Sequence, residues 1–280
     1  MQVVFLSCQK TCAPWRLRQD RKRKRGLYRM DLKMKGKVAI VTGGGRGIGY
    51  GICQVFAEEG CNVVIADFAP IEKTQEACRK LEEEYGITAL AVKADISKEE
   101  DVCNIFKETV AKFGTVDFLM NNAGLMGPSK IETITAEEIQ RYEHVTVEGT
   151  MLMCREFVKL CDEQKRGGHI VNTISKTAIR TSGDGNPIYA ATKGAVLSFT
   201  KNLAAEVGRR GIYVNGIVPG YVATEGVAHL KERSERMKKI IPIGREATPK
   251  EIGYVAVFLC SECACQIMGV AVDVSGGTIM

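Results

Sequence analysis

Seven short apolar runs punctuate the chain, and patterns with helical spacing fill the intervals between them. The runs are KVAIVT (37–42), NVVIAD (62–67), TALAVKAD (88–95), VDFLMNNAG (116–124), HIVNTIS (169–175), IYVNGIVPG (212–220) and VAVDVSGG (270–277). They are nearly continuous rather than alternating, as strands read when both faces of a parallel sheet are covered. The intervals predict helices over 48–59, 71–85, 98–113, 136–164, 188–208 and 249–261. SKEE at 97–100 and TAEE at 135–138 read as capping boxes at two helix starts. Strand and helix alternating at this spacing predict βαβ units with right-handed crossovers. No linker shows inside 36–280, so the expected fold is α/β: a doubly wound, Rossmann-type, seven-stranded parallel sheet flanked by helices, in a single domain.

Composition changes this picture only at the N-terminus. The hydrophobic fraction of 45% and charged fraction of 26% are ordinary for a globular domain, and no apolar run nears the length of a membrane span. Residues 1–30 hold nine Lys/Arg against one Asp, whereas the other 250 hold 30 Lys/Arg against 32 Asp/Glu. The near-neutral body gives no reason to expect nucleic-acid binding. RKRKR at 21–25 reads as a nuclear signal, a polyanion patch or a solvated tail. The tail is the reading adopted: residues 1–33 as a basic, disordered extension, with the sole tryptophan, Trp15, inside it, and 34–280 as the folded domain. Eleven cysteines, an odd number without a secretion signal, point to free thiols in a reducing, cytoplasmic setting. CSECAC at 260–265 lacks a second cluster or a nearby histidine, so no metal site is expected.

The candidate chemistry starts at TGGGRGIG (42–49), between the first run and the first helix. Glycines at 43, 47 and 49 permit a tight turn and let phosphate approach backbone N–H groups at a helix start. Asp67 closes the second run, where the dinucleotide fingerprint needs an acid. The spacing, however, is G-x-x-x-G-x-G. With NNAG at 121–124 and Y-x-x-x-K at 189–193, the chain resembles the short-chain dehydrogenase/reductase family, classical subtype, over about residues 36–280.

That resemblance implies a set of roles. Ser175, Tyr189 and Lys193 match the catalytic serine, tyrosine and lysine. The serine lies one residue further from the tyrosine than the commonest family gap, and Ser182 is the rival. Thr146 stands where the family usually has an asparagine that bends the helix and helps a proton relay; a threonine hydroxyl can bond back to the preceding turn and bend a helix too. Gly43, Arg46, Gly47, Ile48, Gly49, Asp67, Phe68, Asp95, Ile96, Asn122, Ala123, Gly124, Pro219, Gly220, Val222 and Thr224 match cofactor-binding positions, joined by Tyr189 and Lys193. The chemistry suits the residue types: a phenol of ordinary pKa about 10 beside an ammonium is expected to move toward neutrality and act as acid or base. Small residues at 190, 191, 194 and 195 are expected to make room for a nicotinamide and its ribose. Asp67 followed by uncharged Phe68 favours NAD over NADP, with Arg46 as the opposing signal. The implied function is hydride transfer between NAD(H) and a small secondary alcohol or ketone. A homotetramer is implied, pairing helices 136–164 and 188–208. Two alternatives remain: a 3-oxoacyl-carrier-protein reductase using NADP(H), and a non-catalytic dinucleotide-binding regulator. Substrate choice is expected from 125–133, 177–187 and 221–245, with the basic, amphipathic stretch 227–239 read as a solvated lid.

Overall fold

The computed structural model describes residues 30–127, 129–180, 186–224 and 231–279, with the side chains of 231–234 left out. Expectations for residues 1–29 of the basic extension, Trp15 among them, for Ser182 and for 225–230 lie outside these residues. The body begins at Leu32, and Met34 is buried in its core.

The seven strands form where the apolar runs lie: β1 (Val38–Thr42), β2 (Asn62–Asp67), β3 (Ala89–Lys93), β4 (Phe118–Asn121), β5 (Gly168–Thr173), β6 (Ile212–Pro219) and β7 (Ala271–Val274). Every pairing is parallel and the order is β3-β2-β1-β4-β5-β6-β7. The helices are α1 (Gly47–Glu58), α2 (Ile71–Tyr85), α3 (Glu99–Phe113), α4 (Ala136–Tyr142), α5 (Gly149–Glu163), α6 (Pro187–Val207), α7 (Lys231–Ile240) and α8 (Pro249–Leu259). Alternate residues of a strand face opposite sides. Ala39 and Val41 therefore join α1, α2 and α8 through Ile52, Phe56, Leu81 and Ile252. Val38 and Ile40 join α3, α5 and α6 through Val102, Phe106, Phe157 and Val207. With both faces covered, β1 is buried along its whole length.

The chain builds outward from β1 to β3, then returns across β1 to start β4. Loops leaving β1 and β4 diverge at this switch point, opening a crevice at the C-terminal ends of the strands. Among the described residues no helix is long and apolar enough to cross a membrane.

Three local expectations need correction. The single helix expected over 136–164 is interrupted by a six-residue π-helical turn, Glu143–Glu148, between α4 and α5. Ser97 does not cap α3; its hydroxyl donates to Asp95 Oδ1 at 2.6 Å, and Lys98 takes the cap position. At Thr135 the side chain accepts from Glu138 N, one half of the box. A reciprocal capping box forms instead at Thr248 and Glu251, at the start of α8. No disulfide joins any of the nine described cysteines, and Cys260 is buried in the core.

Candidate active site

The glycine turn after β1 is shaped by what it cannot accommodate. Gly43 and Gly47 adopt φ of 63° and 56°, values that side chains disfavour. A Cβ on Gly49 would lie 2.6 Å from Asn122 Nδ2 and closer still to the Gly43 carbonyl oxygen. Asn122 Nδ2 donates to the Thr42 and Gly43 carbonyls, both at 3.2 Å. Thr42 Oγ1 accepts from Asn122 N at 3.0 Å and Ala123 N at 3.1 Å. Thr42 thus ties β1 to the end of β4, a role its type did not announce although it heads the motif. At α1 the exposed Arg46 is the N-cap residue, gives no side-chain cap, and no acid stands in the first turn. The first amides of α1 therefore have no side-chain cap, which suits an anionic diphosphate.

Asp67 lies beside this turn. Its Oδ2 accepts from Gly45 N and its Oδ1 from Ala69 N, both at 2.9 Å, which fixes the carboxylate. Phe68 is 73% exposed. Asp95 is held by Ser97 and donates its own N–H to Asp101 Oδ2 at 2.8 Å. Ile96 is buried against Gly149 so closely that a Cβ there would meet it at 2.9 Å.

Across the switch point, β5 delivers Ser175, which is buried. Its hydroxyl accepts from Thr177 N at 3.3 Å and from Thr177 Oγ1 at 3.0 Å. Asn186 caps α6 by accepting from Tyr189 N at 3.0 Å, with Pro187 at the first helical position. The cap fixes where Tyr189 leaves the helix, and its phenol is within the influence of the Ser175 hydroxyl. One turn on, Lys193 is buried and its Nζ donates to the Thr173 carbonyl at 2.7 Å. That Nζ is 6.0 Å from the centroid of the Tyr189 ring. A Cβ on Gly124 would lie 3.3 Å from Lys193 Nζ and 3.6 Å from Thr146 Oγ1. Ser175, Tyr189, Lys193, Gly124 and Thr146 are therefore neighbours. Behind them Asn121 Nδ2 donates to Asn172 Oδ1 and Asn172 Nδ2 to Thr200 Oγ1, both at 2.9 Å, bracing β4, β5 and α6.

Three details differ from expectation. Burial pushes the Tyr189 phenol above its ordinary pKa, and the Ser175 hydroxyl only partly opposes this; desolvation of the charged form, not the lysine, dominates. Burial lowers Lys193 to about 8. The Thr146 hydroxyl does not bond back along its helix: it accepts from Leu125 N at 3.4 Å, while the Thr146 carbonyl accepts from Thr150 Oγ1 at 2.7 Å. The small residues of α6 also divide, because each residue turns about 100° round the axis. Ala191 falls on the face away from Lys193 and is exposed, so it makes no room at the site.

The loop after β6 closes the crevice. Gly220 lies against Ser275, where a Cβ would meet Ser275 Cα at 2.8 Å. Val222 bridges to Ala247, and Ala223 N donates to the Ala247 carbonyl at 2.8 Å. Thr224 reaches the glycine turn: a Cβ on Gly47 would lie 3.5 Å from Thr224 Cγ2. Pro219, Gly220, Val222 and Thr224 thus span from β6 to α1. Arg46, Phe68, Asp95 and Ile96 remain apart from the Tyr189 group, on the β2–β3 side, so the candidate positions follow an elongated track.

Comparison with known proteins agrees with this geometry. A family model described as enoyl-(acyl carrier protein) reductase matches residues 43–278. The chain belongs to the short-chain dehydrogenase/reductase family, classical subtype. Within this family it is 33% identical over 249 residues to the 3-oxoacyl-(acyl-carrier-protein) reductase FabG of Aquifex aeolicus, covering 89% of this chain and 99% of that protein. It is 34% identical over 261 residues to galactitol 2-dehydrogenase of Agrobacterium fabrum, covering 89% and 100%. Among solved structures, L-sorbose reductase from Gluconobacter frateurii, complexed with NADPH and L-sorbose, superposes with a TM-score of 0.83 at 32% identity, covering 89% of this chain and 99% of that one. A 3-ketoacyl-(acyl-carrier-protein) reductase from Brucella melitensis, complexed with NADH, gives 0.80 at 36% identity, covering 88% and 100%. As a member of this family the chain is an oxidoreductase that takes a nicotinamide dinucleotide, and its glycine turn and the start of α1, which has no side-chain cap, fit that cofactor.

Proposed function

We propose that the chain transfers hydride between NAD(H) and a secondary alcohol or ketone, with Tyr189 as the acid/base. The convergence of Ser175, Tyr189 and Lys193 beside Gly124 carries this reading, since a dinucleotide-binding regulator has no need of it. The bound nicotinamide supplies or accepts the hydride. Ser175 donates a hydrogen bond to the substrate oxygen, with Thr177 supporting the serine from behind. Tyr189, kept protonated at neutral pH by its burial, gives its proton to the oxygen as a carbonyl is reduced; in the reverse direction it takes that proton back. Lys193 stabilises the resulting phenolate and holds ribose hydroxyls. Thr146 lines the same pocket through its hydroxyl, in place of an amide. Tyr189→Phe should cut kcat at least a hundredfold while leaving the cofactor dissociation constant within about twofold. A variant keeping a tenth of wild-type kcat would exclude the role.

The preferred cofactor is NAD(H). A 2′-phosphate on the adenosine ribose would meet the Asp67 carboxylate, which two amides hold in place, and Phe68 supplies no compensating charge. Repulsion of this kind is worth a few kcal/mol in a partly buried site. The expected preference in kcat/KM is at least about tenfold, or 1.4 kcal/mol, and Asp67→Ala with Phe68→Arg should reverse it. Equal use of NADP(H) by the wild type would mean that Arg46 outweighs Asp67.

A second reading, reduction of 3-oxoacyl-carrier-protein thioesters, draws support from the A. aeolicus relative. Turnover of a 3-oxoacyl thioester at least as fast as of small ketones would favour it. The assembly proposed is a homotetramer pairing α4–α5 and α6 across a two-fold axis, tested by light scattering at micromolar concentration.

A further inference from the structure

The residue directly after Ser175 is a lysine that the proton chemistry does not use. Lys176 is half-buried, and its ammonium stands 3.8 Å from the centroid of the Tyr221 ring. Tyr221 in turn directly follows Gly220 on the loop after β6. The pair therefore joins two loops that flank the reaction centre. One carries Ser175; the other carries Pro219 through Thr224. No carboxylate among the described residues forms an ion pair with Lys176, and the stretch SKTAIR (175–180) holds two cations and no acid.

A cation over an aromatic face is held there by the ring's electron-rich surface. The ring occupies one side of the ammonium and leaves N–H donors on the other. It also restricts a side chain that would otherwise lose much rotamer freedom on binding a ligand. Lys176 follows β5, whereas the glycine turn, where cofactor phosphates belong, follows β1, with β4 between them in the sheet. Neighbouring Cα atoms are about 3.8 Å apart. An oxygen held by Ser175 and a charge held by Lys176 would then be parts of one small molecule.

We propose that Lys176, seated on the Tyr221 ring, is a specificity-determining residue that selects substrates with an anionic group, a carboxylate or a phosphate, close to the reacting carbon. The inference rests on the hydride-transfer reading above and narrows its substrate class. A lysine donating to an anion is a charge-assisted contact. Removing it from a correctly charged substrate should therefore weaken kcat/KM much more than from a neutral one.

The test uses matched ketones, each assayed with NADH and with NADPH: 3-oxobutanoate with its ethyl ester, pyruvate with its methyl ester, and dihydroxyacetone phosphate with dihydroxyacetone. In at least one pair the charged member should win by about tenfold or more in kcat/KM, chiefly through KM. The winning pair tells carboxylate from phosphate. Lys176→Met should erase that ratio, Lys176→Glu should invert it, and Lys176→Arg, which keeps the charge and can lie on the ring, should retain it. Circular dichroism and melting confirm that each variant is folded. Ratios near one in every pair, or a ratio that survives Lys176→Met, overturn the proposal and reduce the lysine to a latch between loops. Reduction of the neutral members alone, or of an uncharged 3-oxoacyl thioester alone, overturns it too and leaves hydride transfer standing. Failure to reduce any probe with either nucleotide overturns the functional reading itself.

Discussion

Gly49 and Gly194 both sit inside helices, in the two halves of the site, for opposite reasons. Gly49, at the start of α1, is packed against the Gly43 carbonyl and the Asn122 amide, with no space for one carbon. Gly194, in α6 beside Lys193, has nothing within 4 Å of where a Cβ would be. The nucleotide half is shaped by contacts of the protein with itself: β1, the turn, the end of β4 and Thr224 interlock. The reaction half is fixed at its base by Asn172, Thr173 and the Asn186 cap, while its outer surfaces stay open. One half holds a part shared by every reaction of the family; the other must admit a particular substrate.

The sharpest way to break this contrast is one substitution made in both places. Gly49→Ala should displace the start of α1, cost about 1–3 kcal/mol of stability and weaken cofactor binding at least tenfold by calorimetric titration. Gly194→Ala should leave cofactor affinity within about twofold and raise stability by about 0.5–1 kcal/mol, since a mid-helix glycine is entropically unfavourable. Similar effects at both positions would erase the distinction.

A pH profile sharpens it from the reaction side. Lys193, lowered by burial to about 8, is charged below that pH and neutral above it. Carbonyl reduction should therefore lose about tenfold in kcat/KM between pH 7 and pH 9, as the ammonium beside Tyr189 disappears. Stability responds with the opposite sign. The folded value lies below the unfolded 10.5, so between pH 8 and 10.5 the unfolded chain binds more protons, and this group adds stability as pH rises. A melting temperature and kcat/KM falling together through pH 8 would tie the loss to unfolding instead.

The smallest effect concerns Thr177, which faces Ser175 Oγ with both its hydroxyl and its amide. Donation from Thr177 leaves the serine proton for the substrate oxygen. Thr177→Val should lower kcat about fivefold, the equivalent of one hydrogen bond of about 1 kcal/mol, with KM little changed, and Thr177→Ser should restore it. In a Ser175→Ala background the substitution should have no further effect on kcat; an undiminished effect there would make Thr177 independent of the serine.

The five inner runs were readable as strands because burial on both faces demands continuous β-branched and aliphatic residues, and the edge runs of β3 and β7 keep an apolar pattern although they are only partly buried. Gly43, Gly47 and Gly49 were equally readable, because only glycine meets those backbone constraints, and a tyrosine and lysine four apart must share a helix face. Which face of α6 each alanine occupied followed from the same periodicity, yet Ala191 could be excluded from the site only once Lys193 was seen to point inward. Other features had no local signal. The π-helical turn at Glu143–Glu148 depends on a change of hydrogen-bond register inside a segment whose helical spacing runs on across it. It forms where Thr146 is buried, Gly149 meets Ile96 and Thr150 takes the Thr146 carbonyl. Ser97 and Thr248 carry similar capping patterns, but Asp95 captures the Ser97 hydroxyl and leaves only Thr248 as a reciprocal cap. The direction of the Tyr189 shift was likewise a tertiary outcome: the sequence by itself determined that a phenol and an ammonium lie on one face. Only the folded chain decided how much water each keeps, and desolvation at that depth outweighs the attraction between them.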